Sequence, residues 1–242
     1  MELRELTRDN ERQMFEKCLV KARAARGFGF RAKARSRLEK SHLVFGSLYA
    51  IFENQSDPAE RMLGGFVMHD LASLPQSFPN PDLSRLPARS ILEGSELWSL
   101  STGIGRVAAS AAAAVAGLRQ AKAIIVYPVI RPVDLTSRYA PFNFVNACEP
   151  IRNPYGETLQ GEELWVQPMI LEGEKLEEYI RWGFDFLLGS EGGGRVLRFS
   201  PPLATRPSSS DVSRSIREET RKSSLIQSNE HPQESNGTTP AE

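Results

Sequence analysis

Histidine and cysteine are scarce in this chain of 242 residues, which contains three histidines and two cysteines. Cys18 and Cys148 lie far apart in sequence, and neither stands in a C-x-x-C or Cys/His spacing. The pattern therefore favours neither a zinc site nor a disulfide framework, and we expect no metal site. Since His231 lies in a polar segment, His42 and His69 are the remaining imidazoles, and we interpret both as ordinary strand-edge or turn residues. With so few histidines, the sequence does not favour a catalytic triad that depends on histidine.

Long hydrophobic runs are also missing. The longest nearly unbroken apolar run, Val107 to Leu118, covers about 12 residues and is mostly alanine, whereas a bilayer span needs roughly 20. This run predicts a buried helix and no membrane span. The first residues, Met1 to Arg8, carry acids and lack the apolar region of a secretory signal, so we expect a cytoplasmic protein.

Composition divides the chain into two zones. Hydrophobic residues make up 40% of the sequence, which is enough for the core of one domain of ordinary size. From Gly189 onward Gly, Ser, Pro, Thr and charged residues dominate, with too few apolar groups to offset the entropy lost on folding. We therefore predict one folded domain over residues 1–188 and a disordered polar tail over residues 189–242.

Hydrophobic periodicity predicts the order of helices and strands. One helix is expected from Thr7 or Asp9 to about Arg26, because apolar residues recur there at i, i+3 and i+4. Two β-rich runs, 43–52 and 62–71, are joined by a turn-forming cluster and predict an antiparallel hairpin. The further predicted elements are a strand at 91–100, a helix over 107–118, a strand at 123–130, strands near 144–150 and 164–171, and a helix at about 175–186.

The most informative segment begins at the strand over residues 91–100. It leads directly into the turn at residues 101–106 (S-T-G-I-G-R) and the alanine-rich helix. Because the backbone N–H groups at a helix N-terminus attract anions, this turn predicts a binding site for a phosphate-bearing ligand. Gly103 and Gly105 matter, since glycine lets a ligand approach the backbone closely.

Two motifs resemble those of the GNAT N-acyltransferase superfamily, and the resemblance covers roughly residues 2–171. Residues 103–108 (G-I-G-R-V-A) are similar to the end of its pyrophosphate loop, R/Q-x-x-G-x-G/A, with Leu100 at the position of the first Arg or Gln. Residues 139–144 (Y-A-P-F-N-F) are similar to its Y-x-x-x-G-F element, with Asn143 in place of glycine. The resemblance implies an α/β (α+β) fold with a mixed, mostly antiparallel central sheet, flanking helices and a splayed parallel strand pair.

A third motif points to a branch of this superfamily. Residues 93–96 (E-G-S-E) resemble the E-x-S-R element of acyl-homoserine-lactone synthases and long-chain N-acyl amino acid synthases, with Glu96 in place of arginine. The resemblance implies an acyltransferase that moves an acyl group from an acyl-CoA or acyl carrier protein thioester to an amine, an amino acid-like small molecule.

The resemblance also implies roles for individual residues. The co-substrate, acyl-CoA or acyl-phosphopantetheine, is expected to contact Leu100, Ser101, Thr102, Gly103, Ile104, Gly105 and Arg106. Amide formation needs a base for the acceptor ammonium and an acid for the leaving thiolate. Glu93 or Glu96 is the candidate base, and Tyr139, whose family counterpart sits beside the sulfur, is the candidate acid. On a regular strand the two glutamates point to opposite faces, so without a bulge only one reaches the cleft.

Two other functions fit the same residues. The glycine spacing in residues 103–108 also matches the dinucleotide fingerprint, with Asp134 as the ribose partner, and predicts an oxidoreductase. A doubly wound fold, however, opens with this motif, whereas here a predicted hairpin precedes it. Leu100, Glu96 and Asn143 depart from the family motifs. These departures favour a second alternative, which is a member of the superfamily that binds acyl-CoA and does not catalyse a reaction.

Basic residues are concentrated in residues 21–40, in a chain whose formal net charge is zero. Eight Lys or Arg, at positions 21, 23, 26, 31, 33, 35, 37 and 40, accompany the single acid Glu39, with Phe28 and Phe30 interleaved. Such a cluster attracts anions, so it predicts a docking surface for an acidic acyl carrier protein. A solvated helix face is the alternative, and nucleic-acid binding is least favoured because no known DNA or RNA module accompanies the cluster.

Overall fold

The computed structural model describes residues 1–30, 46–53, 62–71, 83–189 and 198–200. Its helices are α1 (Asp9–Ala24), α2 (Ile104–Leu118) and α3 (Gly173–Leu188). Its strands are β1 (Glu2–Glu5), β2 (Phe28–Phe30), β3 (Ser47–Phe52), β4 (Met62–Asp70), β5 (Ile91–Ser99), β6 (Ala123–Val126), β7 (Val129–Arg131), β8 (Val145–Asn146), β9 (Ile151–Thr158), β10 (Glu163–Val166), β11 (Met169–Glu172) and β12 (Arg198–Ser200). None of the helices in these ranges is long and apolar enough to cross a membrane.

Eight strands form the main sheet in the order β12-β1-β3-β4-β5-β6-β11-β8. Neighbouring strands run antiparallel except at two places, where β1 pairs with β12 and β5 pairs with β6 in parallel. This confirms the predicted mixed, mostly antiparallel sheet with flanking helices and a parallel strand pair. The predicted hairpin is also confirmed, since β3 and β4 pair antiparallel.

Four strands form a second, antiparallel sheet in the order β2-β9-β10-β7. Two predicted strands are divided between the sheets: the run 123–130 becomes β6 and β7, and the run 164–171 becomes β10 and β11. Each division falls at a proline, Pro128 or Pro168, because proline has no N–H to donate to a strand ladder. Strand β9 was not predicted, and it supplies part of one wall of the pocket described below.

Helices cover both faces of the main sheet. On the face that we call the α1 face, Phe15 and Leu19 of α1 pack in one cluster with Val67 and Trp98. The Phe15 and Trp98 rings meet edge-on, with centroids 5.3 Å apart. Helices α2 and α3 pack against the opposite face, which we call the α2–α3 face. The core therefore lies in two layers, one on each side of the sheet.

Helix α2 is buried on nearly all sides, which accounts for its alanine content. Small side chains let α3 approach closely: a Cβ placed on Gly183 of α3 would lie 2.6 Å from the Cβ of Ala113, closer than packed atoms allow. Only glycine fits at that contact. The packing of α3 thereby fixes the helix whose N-terminus carries the glycine turn.

Several predictions concern residues at the ends of the described ranges or outside them. Helix α1 begins at Asp9, one of the two predicted starts, and its N-cap is Arg8. Residues 198–200 form β12 beside β1, although they belong to the segment predicted to be a disordered tail. The rest of that tail beyond Gly189, residues 31–40 of the basic segment, and His42 lie outside the described residues. The domain boundary, the disorder of the tail and the cytoplasmic location therefore stay predictions.

Candidate active site

Strand β5 contains a β-bulge at its centre. Val67 of β4 lies opposite Ser95, and Gly65 lies opposite Trp98, so two residues of β5 face a single residue of β4. One of the two is Glu96, whose φ of 54° is in the left-handed region. A bulge of this kind inserts one extra residue and re-aims the side chains that follow it.

The bulge places Glu93 and Glu96 on the same face of the sheet. Glu93 lies opposite His69, which alternates with Val67 on β4 and so shares its α1 face. Glu96 forms an ion pair with Arg23 of helix α1, which covers that face. The two glutamates therefore do not point to opposite faces, as they would on a regular strand. Both carboxylates lie on the α1 face.

Strands β5 and β6 separate after a short parallel contact. Their pairing covers Ile91 to Glu93 on β5 and Ala123 to Ile125 on β6. Beyond it, β5 continues to Ser99, whereas β6 ends at Val126. The two strands therefore diverge and leave a slot in the sheet, as expected for a splayed pair.

A pocket lies at this slot, and residues from both faces of the sheet line it. The α1 face contributes Arg23, Glu93 and Glu96. The α2–α3 face contributes side chains that include Ala109, Ala112, Tyr139, Phe144 and Tyr179, and the second sheet contributes Asn153 and Gly156. The pocket therefore passes through the sheet, and it brings together the three residues predicted to be catalytic.

Glu96 is held by Arg23. The guanidinium Nη2 lies 2.6 Å from each carboxylate oxygen, and Nε lies 3.0 Å from Oε2. The Glu96 side chain is 8% exposed, so the pair is largely removed from water. Because the guanidinium engages both carboxylate oxygens, neither oxygen is open to an acceptor amine. This arrangement favours a positioning role for Glu96 over that of a base.

Glu93 has a different neighbour. Its Oε2 lies 3.3 Å from Nε2 of His69, and the side chains of Glu93 and His69 are 6% and 0% exposed. Its Oε1 has no hydrogen-bond partner among the described residues. One oxygen of Glu93 is therefore open to a ligand, unlike the oxygens of Glu96. The interpretation of His69 as a strand-edge or turn residue is wrong, because it lies fully buried between β3 and β5.

Tyr139 lies in the pocket wall between two short 3-10 turns. Its ring packs edge-on against Phe144, with centroids 5.5 Å apart. Asn143 has a φ of 62°, the left-handed conformation that glycine takes easily. Burial raises the pKa of Tyr139, while Arg138 and Arg26 act in the opposite direction. The net upward shift keeps the hydroxyl protonated at neutral pH, so it can donate its proton.

Two further tyrosines line the pocket. The Tyr179 hydroxyl donates a hydrogen bond of 2.9 Å to the carbonyl of Ala109, so its proton is engaged. Burial raises the pKa of Tyr127, and the charge of Glu93 acts in the same direction. Tyr127 is therefore a second candidate proton donor. The sequence analysis missed it because it placed Tyr127 inside one continuous strand.

The glycine turn lies beside the pocket and is not part of its wall. Gly103 is the N-cap of α2 with a φ of 83°, and no side chain caps the helix. Ala109 does line the pocket, and it lies about 9 Å along the helix axis from Gly103 at 1.5 Å per residue. The turn and the pocket are thus neighbouring features of one helix.

The residues of the turn differ in their surroundings. Leu100 packs against the α1-face cluster, and its N–H donates to the carbonyl of Leu63 at 2.9 Å. Ile104 is 3% exposed and belongs to the core. Ser101, Thr102, Gly105 and Arg106 lie partly or fully at the surface, and Arg106 stacks on Phe186, 4.9 Å from the ring centre. Contact of residues 100–106 with a co-substrate stays a prediction.

The structure does not favour the dinucleotide alternative. Asp134 accepts hydrogen bonds from the N–H and the hydroxyl of Thr136, at 2.8 and 2.6 Å, and these bonds lower its pKa. It does not line the pocket. The sheet beside the glycine turn is mostly antiparallel, unlike the doubly wound parallel sheet of dinucleotide-binding domains. Within the described ranges, no group of three or more His, Cys, Asp or Glu could hold a metal ion.

The sequence analysis missed the partners of both glutamates. It assigned Arg23 to the basic segment, because nothing in the sequence relates position 23 to position 96. The sequence did contain a signal that His69 is buried and has a polar partner. The residue stands in a run of buried strand residues, and a buried polar side chain needs a partner.

No family model matches the chain, and no curated protein matches it in sequence. Several solved structures are similar. FeeM, an N-acyl amino acid synthase from uncultured soil microbes, is 11% identical with a TM-score of 0.49, over 73% of this chain and 91% of that chain. An aminoglycoside acetyltransferase, AAC(6')-Ib in complex with coenzyme A and kanamycin, is 12% identical with a TM-score of 0.47, over 73% of this chain and 97% of that chain. A GNAT family acetyltransferase from Elizabethkingia anophelis with acetyl-CoA bound is 13% identical with a TM-score of 0.41, over 61% of this chain and 99% of that chain.

The described strands form the mixed, mostly antiparallel sheet with a diverging parallel strand pair that the resemblance of residues 2–171 to the GNAT superfamily implies. The pocket at the slot then supplies the chemistry from which a function is argued.

Proposed function

We propose that the protein transfers an acyl group from a thioester, either acyl-CoA or acyl-phosphopantetheine, to an amine. The slot between β5 and β6 is the observation that carries the proposal. It opens the sheet beside a helix N-terminus and places a buried carboxylate and a protonated tyrosine in the same pocket. A thioester and an amine that meet there would have a base and an acid within one enclosed space.

The N-terminus of α2 fits the phosphate groups of such a donor. Among the described residues, the backbone N–H groups of Gly105 and Arg106 donate to no carbonyl. The first turn of the helix contains no acid, and Arg106 adds a positive charge at the surface. Free N–H groups and the helix dipole together favour an anion. We assign the phosphates of the donor to residues 101–106 and its thioester to the pocket.

Glu93 is the base in this proposal. Glu96 is engaged by Arg23, whereas Oε1 of Glu93 lacks a hydrogen-bond partner among the described residues. Glu93 takes one proton from the acceptor ammonium, which leaves a neutral amine with a lone pair for attack. His69 lies 3.3 Å from Oε2, so the proton is received at Oε1, the oxygen without a hydrogen-bond partner among the described residues.

Tyr139 is the acid. The amine nitrogen bonds to the thioester carbon, and the carbon–sulfur bond breaks as the tetrahedral intermediate collapses. The leaving thiolate takes the proton of the Tyr139 hydroxyl, and the phenolate regains a proton from the nitrogen as the amide forms. The products are the amide and the free thiol, with one proton passed from Glu93 to water.

A carrier protein is the second donor form to consider. In the described part of the basic segment, Lys21 and Arg26 are exposed, whereas Arg23 faces the pocket and pairs with Glu96. Arg23 therefore does not contribute to a docking surface as the charge count had suggested. Attraction of an acidic carrier protein to this segment remains part of the proposal.

The experiment measures thiol release from acetyl-CoA, octanoyl-CoA, palmitoyl-CoA and acylated carrier protein, each with a panel of amines. Calorimetry of the same donors without an amine measures binding separately. We expect donor binding and amine-dependent thiol release. Binding without release for any amine would favour the non-catalytic alternative, and preferential binding of NAD(H) would contradict the proposal.

A further inference from the structure

The pocket wall contains an unusual set of charges. Among the described residues that line it, Arg23 is the one Lys or Arg, and Glu93 and Glu96 are the carboxylates. The Nε–Nη2 edge of Arg23 meets both oxygens of Glu96, so these two charges cancel one another. The charge left over is that of Glu93.

Two buried polar atoms beside this pair have no hydrogen-bond partner within the described residues. They are Oε1 of Glu93 and Oγ of Ser95, on residues that alternate along β5 and both line the pocket. Buried polar atoms are normally satisfied, so this position fits a ligand group that donates hydrogen bonds. A protonated amine has three N–H donors and a positive charge, and matches both atoms.

We propose that the acceptor is a cationic amine that carries no carboxylate on the carbon beside its nitrogen. This inference rests on the proposed function and narrows its acceptor. The nitrogen binds between Glu93 and Ser95, where its charge complements that of Glu93. An α-carboxylate would enter a wall whose guanidinium is already engaged by Glu96 and whose remaining charge is the negative charge of Glu93, so an amino acid is excluded by repulsion.

The other charged groups near the pocket add no Lys or Arg side chain to the described part of its wall. His69 faces Oε2 of Glu93 at 3.3 Å and leaves Oε1, the oxygen without a hydrogen-bond partner among the described residues, to the ligand. Arg26 and Arg138 act on the hydroxyl of Tyr139 and do not line the pocket.

Matched pairs of acceptors test the inference. Tyramine and tyrosine, and tryptamine and tryptophan, differ only by the α-carboxylate, and each has a single amine. With the thioester that gives the fastest thiol release, we expect kcat/KM for each amine to exceed that for its amino acid by about tenfold or more, because like charges repel in a buried site. Equal or better turnover of the amino acids would overturn the inference.

The variant Glu96→Gln gives a sharper test, because it frees Arg23 to bind a carboxylate. The preference for tyramine over tyrosine should fall by about tenfold or more in this variant. The double variant with Arg23→Met and Glu96→Gln is the matched control, since it has no guanidinium to offer and should keep the preference. An unchanged preference in Glu96→Gln, with the thermal unfolding of all variants checked, would contradict the inference.

Calorimetry separates failure of this inference from failure of the proposed function. If no thioester is consumed with any acceptor, the acyl transfer proposal fails, and the binding of tyramine and tyrosine to the protein still decides the acceptor class. Tighter binding of tyramine is expected. Equal affinity, or tighter binding of tyrosine, overturns the inference whatever the outcome for turnover.

Discussion

The regions around Glu93 and Glu96 lie on one strand, three residues apart, and differ in every neighbour that matters for proton transfer. Glu96 meets a guanidinium through both oxygens, and its negative charge is balanced at all ordinary pH values. Glu93 meets an imidazole at one oxygen and leaves the other oxygen facing the pocket. Both oxygens of Glu96 are therefore occupied, whereas one oxygen of Glu93 is open to a ligand.

The largest expected effect follows from changing Glu93. The variant Glu93→Gln should lower kcat by about 10³-fold, since general base catalysis contributes roughly 10²- to 10⁴-fold. The amide keeps the shape of the side chain and cannot take up a proton. Steady-state kinetics of the wild type and the variant with the same thioester and amine measure the loss. Equal losses of kcat in Glu93→Gln and Glu96→Gln would contradict the assignment of different roles to the two glutamates.

Tyr139→Phe should lower kcat by about 10²-fold, the low end for general acid catalysis, with a smaller change in donor affinity. The hydroxyl acts only while it is protonated, and burial raises its pKa above the reference of about 10. Activity should therefore persist through neutral pH and fall as pH rises above about 10. That alkaline limb should be absent in Tyr139→Phe.

Tyr127→Phe is the control for this prediction, because Tyr127 lines the same pocket and also has a raised pKa. We expect a much smaller loss of kcat in the control. The reverse order would transfer the role of the acid to Tyr127, next to Glu93.

Gly105→Val tests the donor site, which lies at the glycine turn and not in the pocket wall that contains the two glutamates. It should weaken binding of coenzyme A by about tenfold, since a branched side chain would cover N–H groups worth up to about 2 kcal/mol to an anion. The fold should survive, because an added Cβ meets only Oγ of Ser99 at 3.7 Å. Calorimetry measures the affinity, and thermal unfolding measures the fold. Unchanged affinity would remove the phosphate site from this turn, and Gly105→Ala should show an intermediate effect.

The smallest effect on turnover is expected for Glu96→Gln. Loss of its charge should lower kcat with an amine acceptor by about threefold, because the residue does not carry the transferred proton. The free energy of unfolding should fall by about 1 kcal/mol, since Arg23 is 24% exposed and can regain solvent. Stopped-assay kinetics and denaturant unfolding measure the two quantities. A loss of kcat near 10²-fold would show that the ion pair takes part in catalysis.

Local patterns account for the parts of the fold that the sequence predicted. The β3–β4 hairpin, the strand before the glycine turn and the helix after it were readable because each has its own periodicity or turn residues. Strand β9 was missed, since its run 151–158 carries proline, glycine and polar residues. Its place in the second sheet depends on pairing with β2 and β10, which local propensity does not report.

The sequence by itself determined which chemical groups are present: a glycine turn before a helix, two glutamates on one strand and a tyrosine after the next strand. Only the tertiary structure decided how these groups work together. The bulge in β5 exists only relative to β4, and Arg23 meets Glu96 across 73 positions of the chain. His69 meets Glu93 through the register of two strands. Such contacts arise from long-range pairing and packing, so they cannot be deduced from periodicity, which reports only neighbours along the chain.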